Sequence, residues 1–343
     1  MANIHDVARV AGVSISTVSY ALSGKRTVSE DARRRIVDAV QELGYLPNAA
    51  GRMLAGARTR ILALSAPLRV DTYAPAHMAF VLAVATAARR YDYDILLLTE
   101  DEATNGLRRV TSSRLVDGVI LLDVSMDDER LALVRDLAVP SVVVGVPGEA
   151  SGLTCVDLDF AAAARLSIDQ LVAAGHRSIA LLGHPQAAYE RGSNFPHRFR
   201  NAFVEYASER GLQSTFAMPG SSDADVRRAV DEVLDPKAGV SAVVMHCEES
   251  IQSRALTYIA DSGRSIPGDL SIISACSSFD TSSFHPALDV IPLVAADSCD
   301  RAVALVMDAL DGAPEPHVEL VAPRYISRGS IAEPTHPAIS ALN

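Results

Sequence analysis

The sequence predicts an α/β protein: an N-terminal helix-turn-helix head followed by a two-lobed core of doubly wound parallel sheets. Three observations carry this. The first 45 or so residues hold short helical patterns joined by Gly and Ser rather than strands. From residue 61 onward, apolar strand-like runs alternate with helix-length segments. That alternation starts afresh near Phe160, which gives two sets of similar size.

The head is organised around VARVAGVSISTVSYAL, residues 7–22. Val7, Ala8 and Ala11 share one side of a first helix. Gly12 supplies the turn, Val13 plugs the angle, and Ser14 is a candidate N-cap for the second helix. Val18, Ala21 and Leu22 form that helix's expected buried stripe. Its other side carries Ile15, Ser16, Ser19 and Tyr20, an odd solvated surface but a sensible one for reading base edges. Two helices joined by a short Gly turn place the second in a DNA major groove. A plain helical hairpin is the competing reading.

A polar loop, residues 23–27, precedes a third helix capped by Ser29 and ended by Gly44, with Ile36, Val40 and Leu43 inward. Its Arg33–Arg35 triplet reads equally as a solvated face. Pro47 then breaks the chain, and Asn48 can cap a short helix over 49–55 that Gly51 weakens. So short a helix suits folding on a partner, or a plain linker.

In the body, residues 61–67, 94–100, 116–124 and 139–146 read as buried strands, with an amphipathic helix over 78–91. The second set comprises a helix from Phe160 to Ala174, a strand in 175–185, a helix over 197–211, and strands in 241–247 and 270–276. Ligands of such sheets bind at the strand C-termini, here in a cleft between lobes.

Composition narrows the function. Net charge is −11, but residues 1–60 carry nine Lys and Arg against five acids, so the head is +4 and the remaining 283 residues −15. A basic head on an acidic body suits phosphate attraction at one end and solubility elsewhere. The chain is 49% hydrophobic without a long apolar run, and residues 1–20 show no signal peptide. Four scattered cysteines suggest a reducing cytoplasm.

Residues 4–59, with AGVS, TVS, VS, ELGY and PN in order, resemble the DNA-binding head and hinge of the lactose repressor/galactose repressor (LacI/GalR) family. The resemblance extends more loosely to the family's periplasmic-binding-protein-like core, through VDGVILL, CVDLDF and the late YISRGS. It implies that Ile15, Ser16 and Tyr20 read bases, and that Ser14, Thr17, Ser19, Ser23, Thr27 and Ser29 complete the DNA contacts. Asn48 and Arg52 match DNA-facing hinge positions, and Leu54 a leucine levered into the minor groove. Gly51 stands where most relatives have Ala. The implied organisation is a head over 1–46, a hinge over 47–60 and a core over 61–343. Within the core, the N-lobe takes about 61–159 and 291–320, the C-lobe about 160–290 and 321–343.

The resemblance also implies a small-molecule effector in the cleft, with Tyr73, Asp159, Phe160, Arg198, Phe199, Cys247 and Cys276 as candidate contacts. Here the sequence departs from the family. Cys247-Glu248 replaces a usual Asn-Asp, Cys276 replaces a ligand-binding Asp, and Phe199 replaces an Arg, leaving Arg198 as the expected polar anchor. Two thiols give sugars little to bind, so a less polar or anionic effector, or none, is expected rather than an ordinary sugar. Cys247, Cys276 and His246 form an alternative thiol/redox or metal reading, opposed by the simpler one of small buried hydrophobes.

No catalytic motif stands out: GxSxG, P-loop, GxGxxG after a strand and HExxH are missing, Asp157 and Asp159 do not make a convincing pair, and His184, His197 and His246 look isolated. The expectation is a cytoplasmic, nucleoid-associated bacterial repressor. It is a homodimer on a pseudo-palindromic double-stranded operator, needing no cofactor, metal or membrane. No heptad tail follows Ser330 to make a tetramer. The competing readings are a constitutive regulator without effector and a pure small-molecule binding protein.

Overall fold

The computed structural model describes residues 2–23, 27–45, 58–69, 72–99, 103–312 and 315–335. Three helices form the head: α1 (Ile4–Ala11), α2 (Ile15–Ser23) and α3 (Glu30–Leu43). Asn3 begins α1 with reciprocal caps. Its Oδ1 accepts the His5 and Asp6 N–H groups at 2.8 and 3.2 Å, while Asp6 accepts the Asn3 N–H at 3.0 Å. Gly12 ends α1 at φ +63°, a left-handed conformation that a Cβ would strain. The Ser14 hydroxyl accepts the Thr17 N–H at 3.1 Å and starts α2.

Val7, Ala8, Ala11, Val18, Ile36 and Ala39 make the head's buried centre, with Val13, Val40 and Leu43 packed against it. One expectation fails here: Leu22 is 39% exposed. Val18 is the residue α2 buries, Ala21 is half-buried, and Leu22 runs past the small core one turn later. Arg35 is exposed like Arg33 and Arg34, and its guanidinium also donates to the Ala11 carbonyl at 3.1 Å, tying α3 to the end of α1.

The core holds two sheets, each parallel throughout. The first contains β1 (Ile61–Ser65), β2 (Asp94–Leu98), β3 (Gly118–Leu121), β4 (Ser141–Val144), β5 (Thr154–Leu158) and β11 (Val318–Val321), in the order 11-5-4-3-1-2. The second contains β6 (Ser178–Leu182), β7 (Gln213–Ala217), β8 (Ala242–Met245), β9 (Ser271–Ser277) and β10 (Asp289–Pro292), in the order 10-9-8-6-7. Fully buried runs such as Gly118–Leu121 and Ser178–Leu182 need helices on both faces, and each sheet has an apolar cluster on each side. β10 and β11 end one or two residues beyond the lobe boundaries read at 290 and 320.

The helix expected from residue 78 begins at Ala74, with Pro75 in its first turn. We call this helix (Ala74–Arg89) α4. The chain crosses between lobes three times: from β5 into α5 (Phe160–Ala173), from β10 into α6 (Ala295–Asp311), and from β11 back to Ile326, which bridges to Val290.

In both sheets the chain order reverses beside the first strand, so the crevices open at the carboxyl ends of β1 and β3 and of β6 and β8. Those four ends lead to Ala66, Asp123, His184 and Cys247.

Candidate functional site

At the head, the residues expected at base edges sit on the first turns of α2. Ile15 is 42% exposed, Ser16 is exposed, and Ser19 and Tyr20 are half-buried. Ser14 spans Ser16 and Thr17, with hydroxyl separations of 2.8 and 2.7 Å, so these three form one polar edge. Thr27 and Ser29 are exposed before α3, and Ser29 also caps it by accepting the Ala32 N–H at 3.4 Å. Ser23 closes α2. Asn48, Arg52 and Leu54 lie outside the described residues.

Between the lobes lies a cavity of about 800 Å³. Tyr73, Phe160, Cys247 and Cys276 line it as expected, whereas Asp159, Arg198 and Phe199 do not. Asp159 instead caps α5, accepting the Ala162 N–H at 2.9 Å. Phe199 is fully buried and stacks on His246, with ring centroids 4.1 Å apart. Arg198 is held by Asp157 at 2.7 Å, and it is Asp157 that lines the cavity. Burial pushes the Asp157 carboxyl up to about 6 even though the Arg198 guanidinium pulls it down.

Cys276 reaches the wall by a device no sequence pattern announces. Ile291 pairs with Ala275 and Pro292 with Ser277, so Cys276 is skipped in the ladder and sits at φ +52°. Such a bulge re-aims the side chain. Behind it, Gln252 donates to the Cys247 carbonyl at 2.9 Å and accepts the Ser274 hydroxyl at 2.7 Å, fixing the ends of β8 and β9. Burial pushes both thiols up, so Cys247 and Cys276 stay protonated and weakly nucleophilic. Among the described residues no group of three His, Cys, Asp or Glu is placed to hold a metal ion.

The histidines are not isolated. His184 and His246, from the ends of β6 and β8, meet edge to face with centroids 4.7 Å apart. His246 is 1% exposed and neither ring nitrogen finds a partner. Burial drives its pKa well below the ordinary value, and His184 down to about 4 with Arg191 adding to the fall, so both rings are neutral at pH 7. Phe160 and Phe195 complete the aromatic floor, 5.4 Å apart.

The other lobe contributes Asp123, at φ +51°, held by Arg69 at 2.5 Å and approached across the cleft by Arg191 at 3.9 Å. Fully buried Arg130 shapes this turn. It grips Asp128 through Nε and Nη2 at 2.8 and 2.7 Å and donates to the Leu122 and Asp123 carbonyls at 3.1 Å. Direct contacts hold the lobes together: Tyr73 to Glu249 at 3.3 Å, the Met126 N–H to the Gly192 carbonyl at 2.8 Å, and Asn194 to the Val146 carbonyl at 2.5 Å. Asp123, His184, Arg191 and Phe195 were not singled out as ligand contacts by sequence reasoning. The β-strand ends that carry Asp123 and His184 were the available signal.

A helix-turn-helix ahead of a two-lobed, doubly wound core with a cleft at the switch points defines a DNA-binding regulator with an effector-type core. The comparisons agree. The profile of "Bacterial regulatory proteins, lacI family" matches residues 3–48, and that of "Periplasmic binding protein-like domain" matches 168–331. The regulator AglR of Rhizobium meliloti is 30% identical over 285 residues, covering 79% of this chain and 77% of AglR. RegA of Clostridium saccharobutylicum is 26% identical over 338 residues, covering 96% and 98%. A structure of the lac repressor dimer bound to operator and the anti-inducer ONPF superposes with a TM-score of 0.80 at 19% identity, covering 96% and 99%. The chain belongs to the LacI family of bacterial regulatory proteins and is a DNA-binding transcriptional regulator with an effector-type core. Its described residues contain no helix long and apolar enough to cross a membrane.

Proposed function

We propose that this regulator is a cytoplasmic repressor that binds a pseudo-palindromic operator as a homodimer. Residues 1–46 act as head, 47–60 as hinge and 61–343 as the effector-binding and dimerising core. Each head lays the start of α2 in a major-groove half-site, with Ile15, Ser16 and Tyr20 toward base edges. Ser14, Thr17, Ser19, Ser23, Thr27 and Ser29 take phosphates, while Asn48, Arg52 and Leu54 engage the operator centre. The observation that carries this reading is a buried three-helix core that leaves Ile15 and Ser16 exposed at the start of α2.

Effector in the cleft resets the lobe angle and thereby hinge order. A coupling of about 1–3 kcal/mol gives a roughly 5–150-fold change in operator affinity. Binding selection from genomic fragments with the full-length protein, followed by footprinting, tests the reading. An enriched inverted repeat whose preferred bases relax in Tyr20→Ala supports it. No enrichment at low salt, or an unchanged repeat in the variant, refutes the assigned DNA contacts.

A further inference from the structure

Taking the cleft as the effector site, we propose that its ligand is a neutral small molecule with a flat, apolar, ring-bearing body and a polar end bound by His184, not a sugar or an organic anion. Three features of the wall support this.

The first is the identity of the groups at the strand ends. A polyhydroxyl ligand needs several planar, strongly hydrogen-bonding side chains in the floor, because each hydroxyl it buries must be satisfied. Here the ends of β8 and β9 present Cys247 and Cys276, whose thiols are weak donors and weaker acceptors. Phe160 and Phe195 stand beside them, and Phe80 and Leu293 also line the cavity. Faces and edges of such rings favour a flat apolar partner.

The second is charge. Asp157 is engaged by Arg198, and Asp123 by Arg69 and Arg191. Asp225 is paired with Arg228, and Arg254 with Asp223 at 3.3 Å. At the floor, where Asp157 and Asp123 are largely buried, an entering carboxylate or phosphate would have to break the Arg198 or Arg69 pair and face the acid left behind, whereas the Arg228 and Arg254 pairs lie at the exposed rim. A neutral molecule breaks none.

The third is the unspent hydrogen-bonding capacity. His246 is buried with both nitrogens unpartnered, and His184 lies against it and lines the cavity. No hydrogen bond reaches the His184 ring from the described residues, and as a neutral imidazole it offers one donor and one acceptor without charge. A carbonyl, hydroxyl or ring nitrogen on an otherwise apolar ligand uses that capacity. The cavity, about 800 Å³, accepts a body of two or three fused rings.

The test uses the full-length protein and prodan, an uncharged naphthyl ketone whose emission shifts to the blue when it leaves water. Competitors are D-glucose, maltose, D-ribose and 2-naphthoate, and each compound is also scored by thermal shift. The expected result is saturable binding of one prodan per chain, undisturbed by the sugars and at least tenfold tighter than 2-naphthoate. Phe195→Ala should weaken it by roughly tenfold through loss of the ring wall. Should that variant fail to fold, His184→Leu, which keeps bulk and removes the polar end, carries the test with a similar loss.

Absence of saturable prodan binding, or binding unchanged in a folded variant, overturns the proposal. If a sugar or 2-naphthoate stabilises the protein and prodan does not, the ligand class is wrong and the cleft remains the effector site. If none of the compounds shifts the melt while operator binding persists, the ligand class is wrong, whereas loss of operator binding in the same preparation counts against the regulator reading instead.

Discussion

Replacing His246 by Phe isolates the energetic consequence of the buried histidine pair. The ring already stacks on Phe199 at 4.1 Å and meets His184 edge to face at 4.7 Å, so Phe keeps both contacts. Removing two unpartnered nitrogens is worth about 1–3 kcal/mol each, while the larger ring costs about 1–3 kcal/mol by overpacking. Stability at neutral pH is therefore a poor discriminator, and its pH dependence is a good one. His246 stays neutral in the fold because its pKa is depressed, whereas the unfolded chain binds a proton below about 6.5. The stability is present above that pH and is lost as pH falls through it. Between pH 7.5 and pH 5 the loss from this one residue is about 2 kcal/mol. Urea unfolding followed by far-UV circular dichroism at both pH values, in wild type and His246→Phe, reads it directly. Asp157, raised to about 6, works in the opposite sense, gaining stability as pH falls, but it is common to both proteins and cancels. The variant should lose about 2 kcal/mol less on acidification. Identical pH dependence in the two proteins would refute the claim that His246 is buried neutral.

Three further outcomes follow from polar contacts. Arg130→Met leaves Asp128 buried without its partner and should cost about 3–5 kcal/mol in urea unfolding; a loss below 1 kcal/mol would show that Arg130 does not shape the Asp123 turn. Asp289 accepts the N–H groups of Arg328, Gly329 and Ser330 at 2.6, 2.6 and 3.0 Å, and also bonds the Tyr325 hydroxyl. Although burial would raise this carboxyl, those bonds hold it below its ordinary value, so its contribution exists above about pH 4 and disappears on acidification. Asp289→Ala should release the 325–332 segment, seen as faster amide exchange there and a loss of about 3 kcal/mol, with unchanged exchange as the contrary result. Asp117 accepts the Thr59 and Arg60 N–H groups at 2.8 and 2.9 Å, so Asp117→Ala should leave the fold intact yet reduce any ligand-induced change in operator affinity, measured by fluorescence anisotropy; full retention of the ligand response would show that these bonds do not couple cleft to operator.

What could be read directly from the sequence was local. Capping, the Gly12 turn and the Val7–Ala11 side of α1 depend on residues a few positions apart, so pattern reaches them. Buried parallel strands are visible for the same reason, as continuous apolar runs. The site was harder, because it is assembled from strand ends roughly 30 to 60 residues apart in the chain. Cys247 and Cys276 were found through resemblance, but the bulge that turns Cys276 into the cavity depends on pairing with β10. Arg198 and Phe199 illustrate the limit. Neighbours on a helix point about 100° apart, so one had to face Asp157 and the other the core. Nothing local decided which, or that neither would line the cavity.

Residues 58–60, at the end of the proposed hinge, are fastened to the first-sheet lobe. The Thr59 N–H and hydroxyl donate to one Asp117 oxygen at 2.8 and 2.9 Å, and the Arg60 N–H to the other at 2.9 Å. Arg58 donates to the Leu310 carbonyl at 2.9 Å and to Asp311 at 2.7 Å, at the end of α6. Residues 58–60 are thus fastened to the start of β3 and to the helix that follows the second lobe crossing. The hydrogen bonds to the half-exposed Asp117 are individually modest, but together they fix the direction in which the chain leaves the lobe. A rotation of the first-sheet lobe must therefore carry residue 58 with it. On the proposed reading, a homodimer with its hinge over 47–60, a change of lobe angle resets the distance between the two exits. On that reading, a ligand that favours one lobe angle by a few kcal/mol acts on the operator through the bonds at Asp117, which is what Asp117→Ala tests.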